Sequence, residues 1–328
     1  MTKSKTSPSR ESAPFFCDAH IDTLSKMLEF GRNGLAEIPA DWHVTAARLR
    51  KSNIGVAVFA IFTEKYDRRF PPHLRTLRMI DMAHSIARDN SDLIESATDT
   101  KSILRARKAG RIAMVLSIEN GIAIEGDLGL LRNYHRLGVR LMSLTWNHRN
   151  ELGDGAWKFR ARRGLTALGL ETLREMERLG MIVDVSHLNE RTFRQVIEAA
   201  EKPVVATHSN ASAAYAHARN LTDAQIRAIS ETGGFIGLNF CASFLNEKGN
   251  ASIRDVVRHA RHIAEVGGAQ ALAIGSDFDG IVTTPAGLEH IGKMGKLIGA
   301  FRRAGFSRRE IEAIAHGNFL RVFREVCG

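Results

Sequence analysis

Several short apolar runs of this sequence end in side chains that can bind a metal ion or move a proton. The clearest is "CDAHIDT", residues 17–23, which places Asp18, His20 and Asp22 at every second position. A β-strand would point all three side chains to one face. Four later runs end in "SIENG", "DVSH", "ATHS" and "GSDFDG", and thus in Glu119, His187, His208, Asp277 and Asp279. Imidazole and carboxylate groups of this kind are ligands that zinc and related divalent ions prefer.

Each of these residues, taken alone, has an ordinary structural explanation. A histidine at a strand end is often a hydrogen-bonded core residue, and Glu119 could pair with an arginine. Asp277 and Asp279 could form an Asx turn. The coincidence favours chemistry, because five runs carry such a residue at the same end. The pattern therefore predicts a metal site rather than a structural polar layer.

Eight short runs are candidates for strands, and helical patterns lie between them. They read "FFCDAHI", "IGVAVFAIF", "RIAMVLSIE", "VRLMSLTW", "MIVDVSH", "PVVATHS", "GFIGLNF" and "ALAIGSDF". Most are continuously apolar, as parallel strands buried on both faces are. Thr222 with Gln225, and Ser307 with Glu310, have the capping-box spacing of helix starts.

This alternation of strands and helices predicts an α/β fold, a (β/α)₈ TIM barrel of the metal-dependent hydrolase type. In such a barrel the carboxyl ends of all strands meet at one face, where active sites lie. The rival is a doubly wound open sheet. No G-x-G-x-x-G follows any of the runs, which disfavours the dinucleotide-binding form of that rival.

The composition fits a globular enzyme. The chain has 328 residues, of which 44% are hydrophobic, enough for a sizeable core. Its 46 basic and 36 acidic residues give a net charge of +10, which we interpret as a solvated surface and not a nucleic-acid site. The three cysteines are far apart and include no C-x-x-C pair, so neither a disulfide scaffold nor a zinc ribbon is indicated.

The ends of the chain show no targeting pattern. Residues 1–13 are polar and lack the apolar core of a secretory signal, so we predict a disordered tail. No apolar run approaches the length of a membrane span, and the last residues lack a hydrophobic anchor signal. We therefore expect a single catalytic domain over 14–328, in a cytoplasmic protein without a membrane partner.

The motifs together resemble those of one known family. Its blocks are matched in chain order by "DAHIDT", "SIENG", "GLTALGLETLREMERLGMIVDVSHL", "PVVATHSNA" followed by "RNLTD", "IGSDFDGI" and "HGNFLRVF". The sequence is therefore identified as a member of the membrane dipeptidase (renal dipeptidase) family of zinc metallopeptidases, in the amidohydrolase superfamily. The resemblance covers nearly the whole chain after the tail.

The resemblance implies a binuclear zinc site and assigns its ligands. His20 and Asp22 would hold the first Zn²⁺, and Glu119 would bridge both ions. His187 and His208 would hold the second. The enzyme would then hydrolyse the peptide bond of dipeptides by attack of a metal-bridged hydroxide, with a D-residue at the C-terminal position as a further substrate class. Manganese or cobalt could replace zinc in the same ligands.

Other residues would act on the substrate. Arg219, in "RNLTD", would bind the terminal carboxylate through its bidentate fork, and Asp277 would move protons as a catalytic residue. One position departs from the family, whose well-studied members have a histidine after "LT" that polarises the carbonyl. Trp146 stands there in this chain. We expect His148 to take the catalytic role from the following loop, or Asn147 to contact the substrate in its place.

Two aspartates next to the candidate ligands are expected to support them. Asp18 would orient a metal-bound histidine from behind, and Asp279 would support the centre in a similar way. Turn chemistry is the alternative for Asp18. The family often forms homodimers, so a homodimer is expected, with a small dipeptide as the substrate partner and no nucleic acid.

Two other functions compete with the dipeptidase. The same metal site could cleave another amide, such as an N-acyl amino acid, and the tryptophan at position 146 motivates that alternative. A less favoured hypothesis is a non-catalytic basic binding protein on a barrel scaffold, motivated by the net charge of +10. The complete set of candidate ligands argues against it, because a binding protein has no need of them.

Overall fold

The computed structural model describes residues 14–64, 69–157 and 163–328. The predicted disordered tail, residues 1–13, lies outside the described residues. The strands are β1 Phe16–Ile21, β2 Ile54–Phe62, β3 Ile94–Ser96, β4 Ile112–Glu119, β5 Val139–Ser143, β6 Ile182–Asp184, β7 Ile236–Leu238 and β8 Leu272–Ile274.

The strands pair in parallel around a ring, in the order β6, β5, β4, β2, β1, β8, β7. The ring closes through the predicted strand "PVVATHS". Within it, Val205 bridges Asp184 of β6, and Ala206 bridges Ile236 of β7. The (β/α)₈ barrel predicted from the sequence is thereby confirmed. The strand β3, which pairs with β4, has no counterpart among the predicted strands, because its sequence "IES" contains a single apolar residue and forms no apolar run.

Helices follow most strands. They are α1 Thr23–Glu29, α2 Ala46–Lys51, α3 Pro72–Asp89, α4 Thr100–Lys108, α5 Leu128–Arg136, α6 Ala167–Leu179, α7 Glu190–Ala199, α8 Asp223–Glu231, α9 Ala242–Leu245, α10 Ile253–Gly267, α11 Lys296–Arg303, α12 Arg308–Glu312 and α13 Asn318–Cys327. Both predicted capping boxes are formed, at the starts of α8 and α12. In the three described ranges, no helix combines the length and apolar character needed to cross a membrane.

The neighbours β2 and β4 show how the sheet directs side chains to the carboxyl end. Alternate residues of these strands belong to different apolar clusters. One cluster contains Val56, Val58, Ala113 and Val115. Because side chains alternate along a strand, the faces that carry these residues end at Phe62 and Glu119. The two end residues are direct neighbours in the β2–β4 register.

Candidate metal centre

The carboxyl end of β1 runs beside the segment that follows β8. Asp277 donates its backbone N–H to the carbonyl of His20 at 3.0 Å. Asp22 donates its backbone N–H to the carbonyl of Phe278 at 2.8 Å. These two bonds bring together side chains that lie more than 250 positions apart in the sequence.

We call His20, Asp22 and Asp277 the first ligand set, because one ligand-type atom of each lies within 4.8 Å of the others. The Nε2 atom of His20 lies 3.4 Å from Oδ2 of Asp22. Both atoms are buried and make no hydrogen bond within the described part of the chain. Burying such atoms without a partner is unfavourable, so the pair is suited to a cation that both can bind.

The second ligand set consists of Glu119, His187 and His208. One ligand-type atom of each of these residues also lies within 4.8 Å of the others. The Nε2 atoms of the two histidines lie 2.8 Å apart. The Oε1 atom of Glu119 lies 3.0 Å from Nε2 of His187 and 3.8 Å from Nε2 of His208. Its other oxygen, Oε2, faces the first set and lies 3.5 Å from Nε2 of His20. Glu119 thus directs one oxygen to each set.

The other ring nitrogen of His187 determines where that histidine carries its proton. The Nδ1 atom lies 2.8 Å from Oδ1 of Asn147. An amide oxygen can only accept a hydrogen bond, so Nδ1 of His187 is the protonated nitrogen and Nε2 has a free lone pair. Asn147, predicted to contact the substrate, is therefore placed where it orients a candidate ligand.

A buried threonine likewise determines which ring nitrogen carries the proton in two further imidazoles. The hydroxyl of Thr207 donates to Oδ2 of Asp184 at 2.5 Å. Its oxygen can then accept from Nδ1 of His208 at 2.9 Å and from Nδ1 of His20 at 3.3 Å. Thr207 therefore contacts one histidine of each ligand set. It leaves the Nε2 lone pairs of both directed at the centre.

This arrangement fits a divalent cation. The unprotonated Nε2 atoms of His187 and His208 face each other across 2.8 Å, with Oε1 of Glu119 beside them. Lone pairs and a negative charge at such short range repel one another unless a positive charge lies between them. Imidazole nitrogen and carboxylate oxygen are also the donor atoms that zinc prefers.

The pKa shifts agree with this charge pattern. Burial lowers the pKa of His187 to about 3, and the charge of Arg219 acts in the same direction. Burial also holds the pKa of His208 well below its usual value. Burial acts to lower the pKa of His20 too, but the carboxylates of Asp22 and Glu119 outweigh it and raise that pKa. A positive charge is therefore favoured between those two carboxylates.

Asp277 occupies an unusual backbone conformation. Its φ is +63° and that of His187 is +65°, in the left-handed region that non-glycine residues rarely adopt. Such conformations cluster at functional sites. Asn239 donates to Oδ2 of Asp277 at 2.8 Å. Burial raises the pKa of Asp277 well above its usual value, and the nearby charge of Asp22 raises it further.

Arg219 lies on the same cavity as both ligand sets. The cavity has a volume of about 780 Å³ and is lined by, among others, Asp22, Glu119, His187, Arg219 and Asp277. The Arg219 guanidinium is buried, and one of its NH₂ groups donates to the carbonyl of His208 at 3.1 Å. Its Nε has no hydrogen-bond partner in the described ranges. A buried cation with an unused donor is suited to bind an anionic group in the cavity.

Three predicted site residues make other contacts, although Asp279 also lines the cavity. The exposed ring of His148 stacks edge-on against Trp157 at 4.9 Å and is not among the residues that line the cavity. Asp18 accepts hydrogen bonds from the hydroxyl (2.6 Å) and the backbone N–H (2.9 Å) of Ser276, and only from the backbone of His20. Asp279 accepts from the hydroxyl of Thr23 at 2.8 Å. Within the described ranges, none of the three makes a hydrogen bond to an imidazole of the ligand sets.

Two residues of the centre carried no predicted role. Asp184 and Thr207 are fully buried and hold the histidines from behind. The sequence contains a signal for both, because Asp184 begins "DVSH" and Thr207 directly precedes His208 in "ATHS". A polar residue next to a candidate ligand is a reasonable first choice for its hydrogen-bond partner.

Comparison with known proteins finds similarity to dipeptidases. Residues 11–327 match the family described as membrane dipeptidase (peptidase family M19). A dipeptidase of Schizosaccharomyces pombe is 32% identical over 95% of this chain and 78% of its own length.

Solved structures agree. The metallopeptidase dipeptidase AC, of family M19, is 28% identical with a TM-score of 0.89, over 97% of this chain and 100% of that one. A metallopeptidase from Rhodobacter sphaeroides, bound to a phosphinate mimic of the dipeptide L-Ala-D-Ala, is 26% identical with a TM-score of 0.88. That match covers 96% of this chain and 100% of the other.

Proposed function

The chain belongs to the membrane dipeptidase family, peptidase family M19, and is a metallo-dipeptidase; on that premise we propose that it hydrolyses dipeptides at a centre of two zinc ions. His20 and Asp22 would hold one ion, His187 and His208 the other, and Glu119 both. When bound, such ions lower the pKa of water towards neutrality and polarise a carbonyl oxygen.

The observation that carries this proposal is the position of Glu119. Its Oε2 atom lies 3.5 Å from His20 and its Oε1 atom 3.0 Å from His187, so a single carboxylate serves both ligand sets. A site for one ion would need only one of those oxygens. The free Nε2 lone pairs on both sides of the carboxylate support two ions rather than one.

Arg219 would select the substrate by its C-terminal carboxylate. Its planar guanidinium can form two parallel hydrogen bonds with a carboxylate, and it lies on the cavity that contains Glu119. A peptide held in this way presents its last peptide bond to the ligand sets. The cavity of about 780 Å³ is large enough for a dipeptide held in this way.

Asp277 would move the protons of the reaction. Its Oδ2 is bound by Asn239 at 2.8 Å, so Oδ1 is the atom available to the substrate. This oxygen would take a proton from the attacking water and give it to the nitrogen of the leaving residue. A carboxyl group with a raised pKa can perform both halves of that transfer near neutral pH.

A D-residue at the C-terminal position is part of the proposal. The Rhodobacter sphaeroides metallopeptidase was solved with a mimic of L-Ala-D-Ala, and this chain is 26% identical to it. The single catalytic domain over 14–328, the cytoplasmic location and the homodimer remain predictions from the sequence, as do the roles of His148, Asp18 and Asp279.

A substrate screen on zinc-loaded protein tests the proposal. The screen uses dipeptides with L- or D-residues at the second position, and elemental analysis measures the bound metal. We expect two zinc ions per chain, hydrolysis that a chelator abolishes and zinc restores, and poor cleavage of the matched C-terminally amidated dipeptides. A single bound zinc would contradict the binuclear centre. N-acyl amino acids cleaved faster than every dipeptide would contradict the substrate assignment.

A further inference from the structure

Three aromatic side chains form one side of the cavity. We call Phe62, Trp146 and Trp157 the aromatic wall. The ring centroids of Phe62 and Trp146 lie 4.9 Å apart, and those of Trp146 and Trp157 lie 5.6 Å apart. All three residues line the same cavity as the ligand sets.

The wall is in direct contact with the proposed centre. Phe62 is the register neighbour of Glu119 in the β2–β4 pair. The ring of Trp146 lies 6.0 Å from that of His187, centroid to centroid. An apolar group held against this wall would therefore lie immediately beside the bond that is cleaved.

The wall exposes an unusual amount of aromatic surface. Trp157 is 57% exposed, and the side chains of Phe62 and Trp146 are only partly buried. Large aromatic residues normally bury most of their area, so an exposed group of them beside an active site indicates a binding surface.

Contacts within its loop hold Trp157 in this exposed position. The backbone N–H of Trp157 donates to the carbonyl of Asn147 at 3.0 Å. A Cβ atom at Gly155 would lie 2.0 Å from the carbonyl oxygen of Trp146, so only glycine permits this close return of the chain. The neighbouring Asp154 is bound by Arg149 at 2.6 Å. The chain thus holds Trp157 beside Trp146 with specific contacts.

The position of Arg219 determines which part of the substrate meets the wall. Arg219 is bound to His208, which follows the strand segment at 205–206. That segment lies four strand positions around the ring from β2, which ends at Phe62, and β4, which ends at Glu119, lies between them. Trp146 follows β5, the other neighbour of β4. With its carboxylate at Arg219 and its peptide bond near Glu119, a dipeptide directs its N-terminal residue towards the wall.

We propose that the aromatic wall binds the side chain of the N-terminal residue, so that the enzyme prefers dipeptides beginning with an aromatic or large aliphatic residue. This inference rests on the proposed function, because it uses the carboxylate site at Arg219. Stacking and apolar contact favour such side chains, and the wall itself offers no charged partner for an acidic or small polar one.

The test measures kcat/KM for dipeptides that share a C-terminal alanine and begin with Phe, Leu, Gly or Asp. A second series varies the C-terminal residue after an N-terminal alanine. We expect Phe-Ala to exceed Gly-Ala by roughly ten- to a hundredfold, the range that follows from burying a large apolar side chain. Trp157→Ala should lower that ratio by roughly three- to tenfold and leave the C-terminal series in the same order.

Phe30→Ala is the matched control, because Phe30 is a similarly exposed aromatic residue (61%) that does not line the cavity. It should leave the Phe-to-Gly ratio unchanged. A ratio near one in the unaltered enzyme would overturn the inference and leave the dipeptidase intact. So would an unchanged ratio in both Trp157→Ala and Trp146→Leu. Loss of hydrolysis of every dipeptide by the unaltered, zinc-loaded enzyme would instead overturn the proposed function, and the inference with it.

Discussion

Two regions of the molecule contain buried histidines, and they use them differently. At the ligand sets, His20, His187 and His208 each bond through Nδ1 and direct Nε2 into the centre. Behind the loops of the same barrel face, His259 bonds through both nitrogens. Its Nδ1 accepts from the backbone N–H of Ala211, and its Nε2 donates to the carbonyl of Leu245, both at 3.1 Å.

Burial does not separate the two kinds, and neither does the direction of the pKa shift in His187, His208 and His259. All four residues are at most 7% exposed. Burial lowers the pKa of His259 to about 4 and that of His187 to about 3, so both imidazoles are neutral at physiological pH. The difference lies in the partner of the second nitrogen. His259 uses it to connect two loops, whereas the histidines of the centre keep it free for a metal ion.

The largest expected effect is at the shared carboxylate. Glu119→Gln keeps the size of the side chain but removes the negative charge that serves both ligand sets. We expect hydrolysis to fall by roughly a thousandfold or more, because metal-ion catalysis supplies several kcal/mol to the transition state. Elemental analysis should show fewer than two zinc ions per chain.

The control for this change is Glu231→Gln, at an exposed position near the end of α8. It should retain full activity and metal. If Glu119→Gln also kept two zinc ions and near-normal activity, the centre would not depend on a bridging carboxylate. The proposed difference between the metal-binding histidines of the centre and the structural His259 would then lose its main support.

We expect His259 to affect the stability of the folded protein and not the amount of metal that the protein binds. Its pKa of about 4 in the folded protein lies below the value of about 6.5 in an unfolded chain. Between these pH values the unfolded chain binds the additional proton, so the free energy of unfolding falls as the pH drops from 6.5 to 4. The full contribution amounts to about 3 kcal/mol.

Chemical denaturation of the unaltered protein and of His259→Gln, at several pH values, isolates this contribution. The glutamine variant cannot take up the proton, so the difference in unfolding free energy between the two proteins should change across that window. Both proteins should bind the same amount of zinc at neutral pH. A pH-independent difference would mean that His259 does not titrate as its burial requires, and a loss of zinc would place it with the histidines of the centre.

The contrast also explains what could be predicted from the sequence. The eight barrel strands and the polar residues at their ends were visible, because buried parallel strands are continuously apolar and a polar side chain at their ends stands out. The pattern could not tell which ring nitrogen of a histidine is free. That depends on partners such as Asn147 and Thr207, whose contacts arise only when separate strands close into a ring. The position of His148 depends on its loop, which has no periodic pattern.

The smallest of the expected effects concerns the hydrogen bonds that keep the Nε2 lone pairs of the histidines directed at the centre. Thr207→Val has nearly the same shape but loses the hydroxyl that accepts from His20 and His208 and donates to Asp184. Without it the imidazoles lose the contact that holds their protons on Nδ1. We expect zinc affinity to fall by roughly ten- to a hundredfold, the usual effect of removing a partner behind a metal ligand.

Competition with a chelator measures that affinity for each ion, and Thr207→Ser should restore it because serine keeps the hydroxyl.

Asn147→Ala provides the comparison within the centre. Asn147 bonds only to His187 among the ligand histidines, so its loss should weaken one ion, whereas Thr207 contacts one histidine of each ligand set and its loss should weaken both. Equal effects of the two changes would show that the sets act as one unit. Unchanged affinity in Thr207→Val would show that the histidines keep their orientation by packing alone, and the hydrogen bond at Nδ1 would then not distinguish a ligand from a structural histidine such as His259.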